Sequence, residues 1–132
     1  MNFAISYLAG LIAFLLIDFV WLKYVALGFY RGHIGHLMLD KPNLAIAGLF
    51  YLFYVVGVVV LAVNPALEKG QWTTALLYGA LLGFVAYGTY DITNLATLKS
   101  WPAVVSVVDM IWGTVLTASV ATISYFVTVS LR

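Results

Sequence analysis

Three aspartates, Asp18, Asp91 and Asp109, stand inside long apolar runs. A charged aspartate near a bilayer centre costs about 2.5–3.5 kcal/mol on insertion scales, and less towards the edge. A chain keeps one there by turning it towards other helices, by protonating it or by giving it a partner. A carboxyl group held that way can act as a general acid or base, or ligate a cation. Asn94 lies three residues beyond Asp91, on the same helical face. Asp18, Asp91, Asp109 and Asn94 are therefore the candidate catalytic residues.

Other residue types fall within reach of these four. Asp18 and Asp109 are each followed three residues on by a tryptophan, Trp21 and Trp112. Tyr87, Tyr90 and Trp112 can line a cavity beside the carboxylates, and simple aromatic packing is the plainer use of each. Arg31 presents a planar fork of donors suited to a lipid phosphate. Lys99 and Arg31 are also possible ion partners of Asp91. These five, Arg31, Tyr87, Tyr90, Trp112 and Lys99, are the candidate ligand-binding residues. His33 and His36 share a face if their stretch is helical, and with Asp91 and Asp109 they offer a divalent-metal ligand set. Gly32 and Gly35 argue against a firm helix there, and a capping or solvated role suits a loop histidine better. No particular cofactor follows from the residues. The plainer use of the carboxylates is interhelical hydrogen bonding, at about 0.6 kcal/mol each.

Elements able to position such groups follow from composition. The 132 residues are 64% hydrophobic and 8% charged, against about 25% charged in soluble domains. Mean hydropathy is +1.07. Eleven charged side chains, six basic and five acidic, cannot cover a water-soluble globule of this size. The chain reads as an all-α integral membrane protein, one transmembrane domain over 1–132. Net charge is +1, so no basic patch invites nucleic acid. With no cysteine, disulfides and thiolate-held metals are excluded.

Runs of about 20 apolar residues place four spans, at about 3–22, 44–63, 73–97 and 102–129. The first lacks a basic n-region and a small-residue cleavage site, so it reads as a retained helix rather than a signal. Pro102 suits the first turn of the fourth span. Short connections predict an up-down-up-down bundle, with an interfacial loop segment between spans one and two. That connectivity brings Asp18, Asp91 and Asp109 to one membrane face, each roughly 6–12 Å inside it. It also brings Arg31, His33 and His36 of the 23–43 loop towards them. Lys23, Arg31, Lys41 and Lys99 then face Lys69 and Arg132 across the membrane. The excess places the loop in the cytoplasm and both termini in the periplasm.

Helical stripes agree with an inward site: Gly10, Phe14, Asp18 and Trp21; Gly83, Tyr87, Asp91 and Asn94; Ser106, Asp109, Gly113 and Thr117. Span two shows no such stripe and is expected to contribute least. Gly79 and Gly83 form a G-x-x-x-G that permits close helix contact.

Several runs resemble one family. YDITNLATLKSWP (Tyr90 to Pro102) and VVDMIWGTVLT (Val107 to Thr117) are similar to a bacterial membrane group, domain of unknown function 2177. FYRGHIGHLM (Phe29 to Met38), the run from Pro42 to Val63 and DFVWL (Asp18 to Leu22) resemble the same group. The resemblance implies a four-helix protein of the bacterial inner membrane, with no assigned activity. Its polar motif positions here are Asp18, Arg31, Asp91, Asn94, Lys99, Asp109 and Trp112. It also implies an association with lipid-modifying genes.

Three functions compete. The first is lipid-directed, as an enzyme or a lipid-binding protein, with membrane lipid as partner. The second is an accessory subunit or homo-oligomer of a larger membrane complex, docking through stripes such as Gly79 and Gly83. The third is a small proton-coupled transporter, opposed by carboxylates that lie off the midplane.

Overall fold

In the computed structural model, which describes residues 2–132, four helices are long and apolar enough to cross a membrane. They are α1 (Asn2–Leu37), α2 (Leu44–Lys69), α3 (Trp72–Thr97) and α4 (Ala103–Leu131). No strand occurs among the described residues. Large apolar side chains point outwards along every helix, including Leu16, Phe53, Leu81 and Ile111. Buried positions instead include small polar residues such as Ser6, Ser106, Ser124 and Thr128. With lipid outside, hydrophobicity does not drive helices together; close packing and hydrogen bonds do.

α3 packs most extensively on α4, and α1 packs next on α4. The α3–α4 seam is close because it is made of glycines. A Cβ on Gly83 would overlap the Gly113 carbonyl, and one on Gly113 would enter the Tyr87 ring. Contacts pair Gly79 with Ala118, Gly83 with Gly113 and Gly88 with Met110, so the two helices run antiparallel. α1 also runs antiparallel to α4: Ser6 meets Thr128, and Trp21 stacks on Trp112 at 4.2 Å. The Gly79/Gly83 stripe is thus used inside the chain. The expectation that it serves as an outward docking surface is corrected by that contact.

Span one is longer than its apolar run. The helix passes Lys23 and Tyr24 through a π-helical turn at Leu22–Ala26 and continues as α-helix over Leu27–Ile34 and a 3₁₀ turn over Gly35–Leu37. The segment expected as an interfacial loop is therefore helical as far as Leu37. A charge ends a hydrophobic run without breaking backbone hydrogen bonds. Gly28, Gly32 and Gly35 weaken the helix by about 1 kcal/mol each relative to alanine. Tertiary contact offsets this, because Ile34 packs against Trp101 and Val105.

The π turn also keeps one face inward. Gly10, Phe14, Asp18, Ala26, Tyr30 and Ile34 are separated by multiples of four. In a 3.6-residue helix each step of four drifts by about 40°. One extra residue in a turn rotates the following face back by about 100°. A second π turn at Val59–Val63 does the same for α2, where Val55, Val59 and Val63 are buried. Past it, α2 continues to Lys69 and ends at Gly70, whose φ of 66° is left-handed. Pro102 precedes the first residue of α4 rather than entering its first turn.

Candidate functional site

Asp109 stands where three helices meet. The Tyr30 hydroxyl, on α1, donates to its Oδ1 at 2.7 Å. Asp91 lies beside it on α3 and is 0% exposed. Among the described residues neither Asp91 oxygen has a hydrogen-bond donor, and the Asp109 carboxyl is the polar group beside it. Asp18 is 8% exposed, with Trp112 facing its carboxyl and Asp109 close enough to act on it electrostatically. The chain thus brings Asp18, Asp109 and Asp91 together, with Asp109 in the middle.

Local bonds fix the orphaned Asp91. Ser106 Oγ donates to the Asp91 carbonyl at 2.7 Å and accepts from Trp101 Nε1 at 3.0 Å. The backbone of α3 is thereby tied to the first turn of α4 and the turn before it. The carboxyl remains directed into a cavity of about 260 Å³, lined also by Tyr30, Ile34, Met38, Tyr90, Trp101, Val105 and Asp109. Tyr90 and Trp101 meet edge to face, 5.9 Å between ring centres.

A second cavity, of about 530 Å³, shares Asp109 and Tyr90 with the first. Phe14, Phe50, Tyr51, Tyr54 and Tyr87 supply most of its wall. The Tyr54 hydroxyl and Thr117 Oγ1 hydrogen-bond at 2.8 Å, and Phe14 meets Tyr51 at 5.0 Å. Tyr90 at 55% and Phe50 at 63% exposed form an outer rim. The larger cavity therefore has an exposed rim between α2 and α3. No lysine, arginine or histidine lines either one.

Of the residues expected from sequence, Asp91, Asp109, Tyr87 and Tyr90 line these cavities. Asp18 and Trp112 adjoin Asp109 and Asp18 respectively. Asn94 is half-buried and faces the Tyr90 hydroxyl from outside the cavities. Arg31 and Lys99 are exposed and line neither cavity. It is Tyr30, one residue before Arg31, that reaches the carboxylates. His33 Nδ1 bonds the Phe29 carbonyl one turn back at 2.8 Å, and His36 is exposed. No group of three or more His, Asp or Glu able to hold a metal ion occurs among the described residues. The structure does not bring His33 and His36 together with Asp91 and Asp109 as a ligand set.

Phe14 joins the site from the stripe that its spacing predicts, whereas Tyr30, Trp101, Tyr51 and Tyr54 join it unannounced by a polar pattern. Span two, expected to contribute least, supplies Phe50, Tyr51 and Tyr54 to the larger cavity. Its signal was a pair of tyrosines three apart in an otherwise aliphatic and aromatic run. Tyr30 becomes visible only when α1 is continued past Lys23 with one extra residue per turn.

No curated protein and no solved structure matches the chain. A family described as "Predicted membrane protein (DUF2177)" matches residues 3–126, a stretch that holds all three aspartates and both cavities. That match covers nearly the whole sequence, and with four spanning helices around a shared carboxylate site the chain belongs to this family of membrane proteins.

Proposed function

We propose that the chain is a lipid-directed protein of a bacterial inner membrane, with periplasmic termini, which takes part of a membrane amphiphile into the two cavities around Asp109. The observation that carries this reading is an aromatic cavity with an exposed rim between two spanning helices, beside buried carboxylates. A site reached between helices is supplied from the bilayer rather than from water. Phe14, Tyr51, Tyr54 and Tyr87 offer apolar area to a chain or ring, and Asp91 and Asp109 offer polar atoms at its end. In an enzymatic version of the site the same two carboxyl groups exchange a proton with the bound molecule. The alternative reading, an accessory subunit, loses its sequence argument because Gly79 and Gly83 pack inside the chain.

The test is a deletion strain complemented with wild type or with an Asp91→Asn/Asp109→Asn double variant that reaches the membrane folded. Wild type is expected to restore a changed lipid profile and the variant to leave it changed. A lipid profile indifferent to the deletion, together with purified protein that retains no lipid, overturns the reading.

A further inference from the structure

We propose that the carboxylate end of this site recognises a cation, the primary ammonium group of a membrane amphiphile, held between Asp91 and Asp109 inside a cage of Tyr30, Tyr90 and Trp101. The proposal rests on the lipid-directed reading and deepens it by naming the headgroup chemistry.

Charge sign comes first. The two cavities contain carboxylates and no basic side chain. Without a basic side chain the cavities offer a phosphate, sulfate or carboxylate ligand no counter-charge. Burial comes second. Asp91 is 0% exposed, and both its oxygens lack partners. A buried polar group without a partner is rare enough to require a cause. Here the neighbouring polar group is the Asp109 carboxyl; the two carboxyls line one cavity, and a donor that serves both has to come from it.

Donor count then selects among cations. A primary ammonium carries three N–H donors on a compact charge. Its acceptors are the oxygens of the Asp91 and Asp109 carboxyls, which lie within hydrogen-bond reach of each other, Tyr30 taking one Asp109 oxygen. Tyr30, Tyr90 and Trp101 line the same cavity, and an aromatic face turned towards it favours a cation over a neutral group. A quaternary ammonium gains the ring contacts but has no N–H for the orphaned oxygens. A divalent metal is disfavoured because, among the described residues, Asp18 adjoins Asp109 without completing a group of three able to hold one. The larger cavity beyond Asp109 accepts the adjoining apolar part of the molecule.

Such an ammonium can come from an ethanolamine phospholipid or from a free long-chain amine. Purified full-length protein is placed in nanodiscs of equal parts phosphatidylethanolamine, phosphatidylcholine and phosphatidylglycerol. It is then extracted in mild detergent, and retained lipid is counted by native mass spectrometry. Binding of octadecylamine is followed in parallel by tryptophan fluorescence, since Trp101 lines the cage. Wild type is expected to retain the ethanolamine lipid preferentially. Asp91→Asn and Asp109→Asn should each weaken retention by about tenfold or more. Tyr90→Leu, on the exposed rim, gives a smaller loss and keeps the test open if an aspartate variant misfolds. Retention of no phospholipid, with octadecylamine binding that the variants abolish, supports the proposal with a free amine as the source. Retention of the choline or glycerol lipid as strongly as the ethanolamine lipid overturns the ammonium assignment and leaves the lipid-directed reading standing. No retained lipid and no octadecylamine binding overturns both.

Discussion

Near the chain termini, the start of α1 and the end of α4 bury three hydroxyl groups and satisfy all of them. Ser6 Oγ and Thr128 Oγ1 are 2.7 Å apart, Ser124 Oγ donates to the Ser6 carbonyl and Thr128 Oγ1 donates to the Ser124 carbonyl, both at 2.8 Å. Farther along the same two helices, Asp18 and Asp109 are joined by Asp91 of α3, whose two oxygens have no partner. The hydroxyl cluster lines neither of the cavities; in the carboxylate cluster Asp109 lines both and Asp91 the smaller one. Each neutral hydroxyl can be closed by one neighbour or carbonyl, and the helices then meet without a gap. A carboxyl pair offers four acceptor oxygens and no donor when ionised, so tyrosine and tryptophan donors alone leave it unfilled. One end of the interface is therefore built to hold helices, and the other retains unmet polar capacity. A site for a ligand is legible in that difference, more than in the presence of aspartate as such.

The largest effect is expected where both ends share a scaffold. Gly83→Val should abolish the folded state, because its Cβ overlaps the Gly113 carbonyl and neither backbone can retreat. Overpacking of this kind costs about 1–3 kcal/mol in soluble cores and more against backbone. Gly28→Ala, where nothing lies within 4 Å, is the matched control and should change stability by no more than about 1 kcal/mol, in the favourable direction. Thermal unfolding in detergent, followed by tryptophan fluorescence, compares them. Equal losses for the two would show that the α3–α4 seam does not set the fold.

Next in size is Asp91→Leu. With no partner to lose, the substitution removes the penalty of a buried unsatisfied group, about 1–3 kcal/mol. The adjoining 260 Å³ cavity leaves room for the larger side chain. Delipidated protein should unfold at a higher temperature than wild type, while ligand retention is lost. At the hydroxyl end the sign reverses: Ser124→Val should destabilise, since it deletes a made bond to the Ser6 carbonyl. A destabilising Asp91→Leu would erase the contrast between the two ends.

The four spans and the inward stripes were legible in the sequence because apolar length and small-residue spacing are properties of the chain itself. Gly10, Phe14 and Asp18 face inward as their spacing predicts, and so do Gly83, Ser106 and Gly113. What the spacing could not carry was the π turn after Trp21. A fixed 3.6-residue period assigns no inward role to Tyr30 and Ile34, and Lys23 closes the apolar run before them. The polar pattern therefore points to Arg31, His33 and His36, which are exposed. The tyrosines of α2 were missed for another reason. In an apolar environment an aromatic ring serves equally for lipid contact and for a cavity wall, and only packing decides which.

A smaller effect is expected at Tyr30. Tyr30→Phe removes one charge-assisted donor from Asp109 and leaves the ring in place. The loss in stability should be about 1 kcal/mol, well below that of an aspartate left wholly unpartnered. Ligand retention should fall only modestly, because the freed Asp109 oxygen remains an acceptor. A retention loss as large as that of Asp109→Asn would make Tyr30 itself the principal contact.

The finest distinction concerns the hydroxyl end alone. Ser6→Ala and Thr128→Val, singly and together, form a double-mutant cycle across α1 and α4. The 2.7 Å bond between them is buried, and both residues are 0% exposed. Interhelical hydrogen bonds in membranes average only about 0.6 kcal/mol, because the separated helices find other partners. The coupling should sit near that value. Thr128 Oγ1 has the Ser124 carbonyl one turn back within 2.8 Å, and so keeps a bond when Ser6 is truncated. A coupling above about 1.5 kcal/mol would mean that the cluster acts as one cooperative network, since local back-bonding would then fail to rescue either single variant. A coupling near zero would mean that close packing of small side chains, rather than hydrogen bonding, closes this end. Either departure moves the cause of the difference between the two ends: in the first case to network cooperativity, in the second to side-chain volume.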